Sequence, residues 1–202
     1  MIVYLLEIRH GGSFFAGPTS SVEVHYGAIP RDLDHAHRLA TAFTSMFLHA
    51  SFLHIFGNMV FLAIFGPTVE DAMGRLRYTA FYLVGGLVAL GAQVAAGPSS
   101  TGPTLGASGA IAAVLGGYIL LYPRARVITL VFIVFFVTII EVPAVLLLGF
   151  WFAEQVWLGL EGLAGVGGEG VAYFAHIGGF AFGLLTIRLL ATRRTQPAQP
   201  VY

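Results

Sequence analysis

Long apolar runs separated by short polar stretches dominate this chain. They cover residues 51–65, 78–96, 105–122, 127–140, 143–160 and 171–191. A helix needs roughly 20 apolar residues to cross a bilayer. Four of the runs approach or reach that length once helix ends are allowed for, and the apolar residues from Phe43 lead into the short run at 51–65. Residues 127–140 are too few for a span and read as a re-entrant or interfacial segment. Pro143, just behind them, favours a break or kink. Residues 1–8 are apolar but far short of a span, and no basic region precedes them, so they do not read as a signal peptide. They are expected to be the outer end of a first span whose beginning is missing from this sequence, or else a short interfacial segment.

Arginines orient the runs. All ten basic residues are Arg. Arg75 and Arg77 lie between the second and third segments, Arg124 and Arg126 follow the fourth, and Arg188, Arg193 and Arg194 close the last. Inner loops of membrane proteins are enriched in Lys and Arg, so these three places are expected inside, with residues 14–44, 97–104 and 161–170 outside. Arg9, Arg31 and Arg38 fall on the outer side and count against the assignment. The pattern leaves room for one span between Arg126 and Glu161. It therefore predicts six spans, counting the truncated first, with 127–140 at the inner interface. The fold class is all-α, a polytopic membrane helical bundle. The outer loop 14–44 is long enough to be functional or disordered, and the tail 195–202, with Pro197 and Pro200, reads as a disordered end.

Polar groups inside a bilayer are costly and mark functional sites by default. His54 and Asn58 in the second segment, Ser108 in the fourth and His176 in the sixth stand out. Under the arginine orientation all three segments run inward. A rise of 1.5 Å per residue then puts the four side chains at one depth, about 5–10 Å below the outer surface. His54 and Asn58 are four apart and share a helix face. Ser108, Ala112 and Gly116 form one small-residue stripe, and His176, Gly179 and Gly183 another. Such faces let transmembrane backbones approach closely, which would bring the Ser108 hydroxyl beside the His176 imidazole. A serine needs a base to become a nucleophile, and a histidine can be that base and then the acid for the leaving amine. Ser108 sits in Gly106-Ala107-Ser108-Gly109 at a helix start, where backbone N–H groups are unpaired. These N–H groups, with His54 and Asn58, could stabilise an oxyanion. No intramembrane Asp or Glu is placed to orient His176, so the reading is a dyad.

Composition narrows the alternatives. Hydrophobic residues make up 57% and charged residues 10%, where about 25% charged is usual for soluble domains. Formal net charge is zero, so no nucleic-acid partner is expected. The absence of cysteine excludes disulfides and thiol catalysis. There is no HExxH, so a zinc protease is excluded, and neither a metal nor another cofactor is expected. His35-Ala36-His37 reads as solvated loop. Glu70, Asp71 and Arg75 read as an ion-pair and capping cluster at the inner surface, Glu141 as solvated, and Glu154 and Gln155 as contacts to a neighbouring helix or water.

These residues resemble the rhomboid intramembrane protease family. His49, His54 and Asn58 are similar to its HxxxxHxxxN motif, Glu70, Gly74 and Arg75 to its ExxxGR loop, Gly106-Ala107-Ser108-Gly109 to its GxSG motif, and Ala175-His176-Ile177-Gly178-Gly179 with Gly183 to its AHxxG…G motif. The resemblance implies a rhomboid-like protease domain over residues 1–194, with Ser108 as nucleophile and His176 as general base. It implies an oxyanion hole made by His54, Asn58 and the Ser108 N–H. His49 would be a supporting histidine, with Gly106, Gly109, Gly179 and Gly183 as supporting glycines. It further implies transmembrane protein substrates, a water-filled cavity above Ser108, 143–160 as the substrate gate, and a multi-pass place in a bacterial plasma membrane with the site opening outward. Two departures stand out. Some members carry a Tyr four residues after the nucleophile, packed on the catalytic ring, where this chain has Ala112, so another group must hold His176, with Tyr173 and Phe174 as candidates. Some carry a Trp-Arg pair in the first outer loop, where this chain has no Trp. The competing readings are a catalytically inactive relative that binds transmembrane clients, and a small transporter or channel, which would call for intramembrane charge or paired broken repeats. Oligomeric state is not legible.

Overall fold

The computed structural model of the chain describes residues 2–9, 12–133, 136–164 and 171–192. Arg193, Arg194, the tail 195–202 and most of the loop 161–170 lie outside the described residues.

A short helix α1 (Ile2–Arg9) leads into a small hairpin, β1 (Gly12–Ser13) and β2 (Gly17–Pro18), then α2 (Ser20–Tyr26), two 3-10 turns and α3 (Thr41–Thr44). The long outer loop is thus folded. Arg38 pins it by donating to the Val24 carbonyl at 2.7 Å and the His25 carbonyl at 3.0 Å. Then come α4 (Phe52–Met73), α5 (Arg75–Ala96), α6 (Ser108–Leu121), a second hairpin of β3 (Arg126–Ile133) and β4 (Phe136–Pro143), α7 (Ala144–Leu163) and α8 (Tyr173–Leu190). Among the described residues α4, α5, α7 and α8 are long and apolar enough to span a membrane, and α6 is a shorter apolar helix. Much of their apolar surface is exposed, as in Leu53, Leu76, Phe150 and Leu189, which suits contact with lipid.

α6 is the centre of the bundle. Every residue from 109 to 118 is buried, with α4, α5, α7 and α8 around it. Its fourteen residues rise about 21 Å, less than the roughly 30 Å of bilayer hydrocarbon. α6 is thus shorter than a full span, and its first residue is Ser108.

Helix directions follow from specific contacts. A Cβ on Gly179 would strike the Gly109 carbonyl, one on Gly183 the Ala113 carbonyl, and one on Gly117 would meet Ile187. These pairs advance together, so α6 and α8 run parallel. The Thr192 N–H donates to the Ala72 carbonyl at 2.9 Å, which joins the end of α8 to the end of α4. The α4–α5 turn pivots at Gly74, whose φ of +83° suits glycine. Arg75, Arg77, Arg124, Arg126 and Arg188 therefore gather at one end of the bundle, as the sequence reading requires, and α4, α6 and α8 start at the other.

One segment departs from helix. Residues 127–133 and 136–140 belong to two antiparallel strands, with Arg126 opposite Pro143 and Ile133 opposite Phe136. Val, Ile, Thr and Phe dominate both strands, and such residues favour strands over helix. A lone hairpin leaves backbone groups unpaired along both outer edges, which hydrocarbon does not tolerate. That places it at the interface of the arginine-rich end, where the sequence puts this segment. Glu141 is exposed, as its solvated reading has it, and also pairs with Arg126 across the hairpin base at 3.2 Å. Glu70 lies 3.7 Å from Arg75, in keeping with the expected surface pair.

Candidate active site

The connection from α5 to α6 is tied down before the helix begins. Ala28 and Thr104 form a β-bridge, and the Gly106 N–H donates to the Ser45 carbonyl at 2.9 Å. Gly106 has φ +117°, and a Cβ there would lie 2.8 Å from Cε1 and Nε2 of His54. Glycine is thus required twice, for the backbone angle and to let the His54 imidazole rest against the chain two residues ahead of Ser108. The helix cap, Ala107, offers no side-chain acceptor. The first-turn N–H groups, that of Ser108 among them, have no intrahelical partner.

α8 brings His176 to the same place. The seam with α6 is built of backbone on backbone: side chains at Gly116, Gly179 or Gly183 would collide with the carbonyls of Phe180, Gly109 and Ala113. A Cβ on Gly109 would lie 2.7 Å from that of Ala89 on α5. At this approach His176 Nε2 stands 2.8 Å from Ser108 Oγ. Both side chains belong to half-buried residues.

α4 supplies the remaining polar groups. Its N-cap Ser51 accepts from the His54 N–H at 3.1 Å. Asn58, one turn further along, is buried, and its Nδ2 has no partner among the described residues. His49 precedes α4 and is 3% exposed, with its ring edge-on to His54 at 5.2 Å between centroids. Burial, with the His54 ring adding to it, pushes the His49 imidazole down to about 4, so this ring is neutral at neutral pH. The structure thus gathers Ser108, His176, His54, His49, Gly106, Gly109 and Gly179 toward one end of the bundle, with Asn58 one turn below His54 and Gly183 two turns below His176.

Three residues of this region were given no role at the site by the sequence. The expectation that Tyr173 or Phe174 holds His176 is corrected: the contacts come from α7. Trp151 places its ring 5.7 Å from the imidazole at 38°, and Gln155 Oε1 lies 2.8 Å from His176 Nδ1. Ala112 is fully buried, 3.3 Å from where a Gly179 Cβ would stand, so the seam has no room there for an aromatic ring. Gln155 does contact a neighbouring helix, as its neutral reading had it, but the partner is the candidate base itself, whereas Glu154 is exposed. Lone amides in apolar helices are the only sequence signal for such contacts, and they do not say which way they face.

Gln93 of α5 is the third. Its Oε1 accepts from the Ala175 N–H at 3.2 Å. The Ala175 N–H also donates to the Ala172 carbonyl at 3.0 Å, so Gln93 adds a second acceptor to this first-turn donor from outside the helix. Gln93→Leu is expected to destabilise the protein by about 0.5 kcal/mol, the lower end of a bond's ordinary worth, because the Ala172 carbonyl still pairs the donor. Thermal unfolding in detergent measures it, and an unchanged midpoint would remove Gln93 from this role.

Comparison with known proteins agrees with the fold. The family model described as the Rhomboid domain matches residues 36–193. The chain is 33% identical over 147 residues to Rhomboid protein 1, mitochondrial, of Saccharomyces cerevisiae, covering 70% of this chain and 39% of the yeast protein. It is 34% identical over 163 residues to RHOMBOID-like protein 12, mitochondrial, of Arabidopsis thaliana, covering 71% of this chain and 44% of that protein. It is 34% identical over 65 residues to Rhomboid-like protease 1 of Toxoplasma gondii, covering 32% of this chain and 22% of that protein. The chain thus spans about two-fifths of the length of the first two relatives. Both are mitochondrial by name, so they lend no support to a bacterial plasma membrane in particular; what stands is a multi-pass membrane protein. On the family match over most of its length, set in a polytopic helical bundle, this chain belongs to the rhomboid family.

Proposed function

We propose that this protein is an intramembrane serine endopeptidase that hydrolyses peptide bonds in or near transmembrane segments of other membrane proteins. The observation that carries the reading is the 2.8 Å contact between Ser108 Oγ and His176 Nε2, within the reach a nucleophile and its base require.

The chemistry follows from the groups around that contact. Nε2 takes the Ser108 proton as Oγ attacks the scissile carbonyl carbon. The carbonyl oxygen becomes an oxyanion, met by the Ser108 N–H at the start of α6 and by the side chains of His54 and Asn58. Collapse expels the amine, which receives its proton from the His176 imidazolium. Water, deprotonated by the same ring, then frees Ser108 from the acyl group. A substrate helix hides its carbonyls in i→i−4 bonds, so it must unwind locally to be cut. The short α6, with Ser108 at the end of the bundle away from the arginines, supports a site that a membrane segment can reach.

Two variants test the assignment. Wild-type protein is expected to react covalently with a fluorophosphonate, and the reaction is expected to vanish in Ser108→Ala. Failure of the wild type to react would favour the second reading, a catalytically inactive relative that binds transmembrane clients. Asn58→Ala is expected to slow substrate cleavage about 100- to 1,000-fold, the typical loss for one oxyanion donor. A steady-state rate equal to wild type would take Asn58 out of the oxyanion hole.

A further inference from the structure

We propose that Gln155 is the positioning residue of the candidate base: its side-chain carbonyl accepts the Nδ1 proton of His176 and so keeps Nε2 bare toward Ser108. The proposal rests on the serine-hydrolase reading above and adds to it a third member, supplied by α7.

The geometry is a chain of two contacts through one ring. Gln155 Oε1 lies 2.8 Å from Nδ1, and Ser108 Oγ lies 2.8 Å from Nε2. A neutral imidazole carries one proton, on either nitrogen. An amide carbonyl can only accept, so this contact holds the proton on Nδ1. Nε2 then has a free lone pair, and the Ser108 hydroxyl must be the donor in the second contact. The other tautomer would leave Nδ1 facing a carbonyl without a proton and would make Nε2 a donor, unable to take a proton from serine. Gln155 is only 5% exposed, so water does not readily replace it. Trp151, one turn earlier on α7, covers the same ring, which limits its rotation.

The choice of an amide has a physical reason. A carboxylate would hold Nδ1 more strongly, but burying a charge among apolar helices is costly. Glutamine provides the acceptor without that cost. When His176 becomes an imidazolium, the Nδ1–H···O contact becomes charge-assisted and strengthens, so the amide contributes most at the moment the base is protonated. The groups facing this ring are His54 from α4, Ser108 from α6, and Gln155 and Trp151 from α7. Gln93 of α5 is engaged with the α8 backbone.

The test uses the full chain in detergent, with fluorophosphonate labelling measured against reagent concentration and pH and with thermal unfolding on the same samples. Gln155→Leu is expected to lower the maximal labelling rate about 10- to 100-fold, the cost of leaving a buried donor unpaired, with little change in half-saturating reagent. Gln155→Glu, which keeps the acceptor, is expected to retain labelling. Its acid limb is expected to move to higher pH, because a carboxylate beside the ring favours the imidazolium. A folded Gln155→Leu protein that labels at the wild-type rate overturns the proposal while leaving the hydrolase reading intact. So does a Gln155→Glu profile that superposes on wild type, and this arm decides the matter if Gln155→Leu does not fold. A wild type that reacts no faster than Ser108→Ala sinks the hydrolase reading, and this proposal with it.

Discussion

Cleavage of a transmembrane substrate is expected to fall roughly a millionfold in Ser108→Ala, the scale seen when a serine nucleophile is removed from a hydrolase. The side chain deleted is a single oxygen, and Ser108 sits at N1 of α6, where alanine is a good helix former. The variant should therefore fold and keep its substrate contacts while losing the bond-forming atom. His176→Ala is expected to lose a comparable factor. The double variant should lose little more, because nucleophile and base act as one unit. The measurement is single-turnover cleavage of a reporter transmembrane segment in proteoliposomes. A purified, folded Ser108→Ala protein that still cuts at a tenth of the wild-type rate would assign the activity to another group.

Gly183→Val carries the second large effect, and it acts through packing. Gly183 lies two turns from His176 and touches no reacting group, yet a Cβ there would collide with the Ala113 carbonyl and sit 2.8 Å from the Gly117 nitrogen. Both are backbone atoms of the central helix, so no side chain can swing aside. Overpacking a tight core typically costs about 1–3 kcal/mol, and a backbone obstacle puts this site at the upper end. α8 must move off α6, and the 2.8 Å separation of Ser108 and His176 opens with it. Thermal unfolding should show a lower midpoint, and fluorophosphonate labelling should be lost although both reactive side chains remain. Gly57 is a suitable control, since a Cβ there meets nothing within 4 Å. Gly57→Ala should label normally. Normal labelling by Gly183→Val would mean that the seam is softer than its contacts imply.

Much of this was readable along the chain because the bilayer makes sequence signals blunt. Apolar length located the spanning helices. The arginines give their directions, and direction alone puts His54, Ser108 and His176 at one end. The glycine stripes told which faces meet, because only missing side chains allow the close approach seen between Gly109 and Gly179. The hairpin at 126–143 was harder. Its run is apolar on both strand faces, so period-2 alternation is absent, and only the excess of Val, Ile, Thr and Phe points to strands. Gln155 and Gln93 were harder still. Each is one amide in a helix with no accompanying motif, and whether it faces lipid, a neighbour or the base depends on helix rotation that local sequence does not encode. The aromatic partner of His176 was sought on its own helix, whereas the structure supplies Trp151 from the next one, since the wall of α8 facing α6 is given over to glycine.

Counting residues in α6 amounts to setting a depth gauge. The helix is enclosed on all sides, so the number of residues between Ser108 and Tyr122, and not the lipid, fixes how far the hydroxyl stands from the arginine-rich end. One added helical turn would raise it by about 5.4 Å, past the ring it now touches and toward bulk solvent. Deleting a turn would sink it out of reach of both the imidazole and the unpaired amides. Insertions inside the innermost helix therefore carry an immediate chemical penalty.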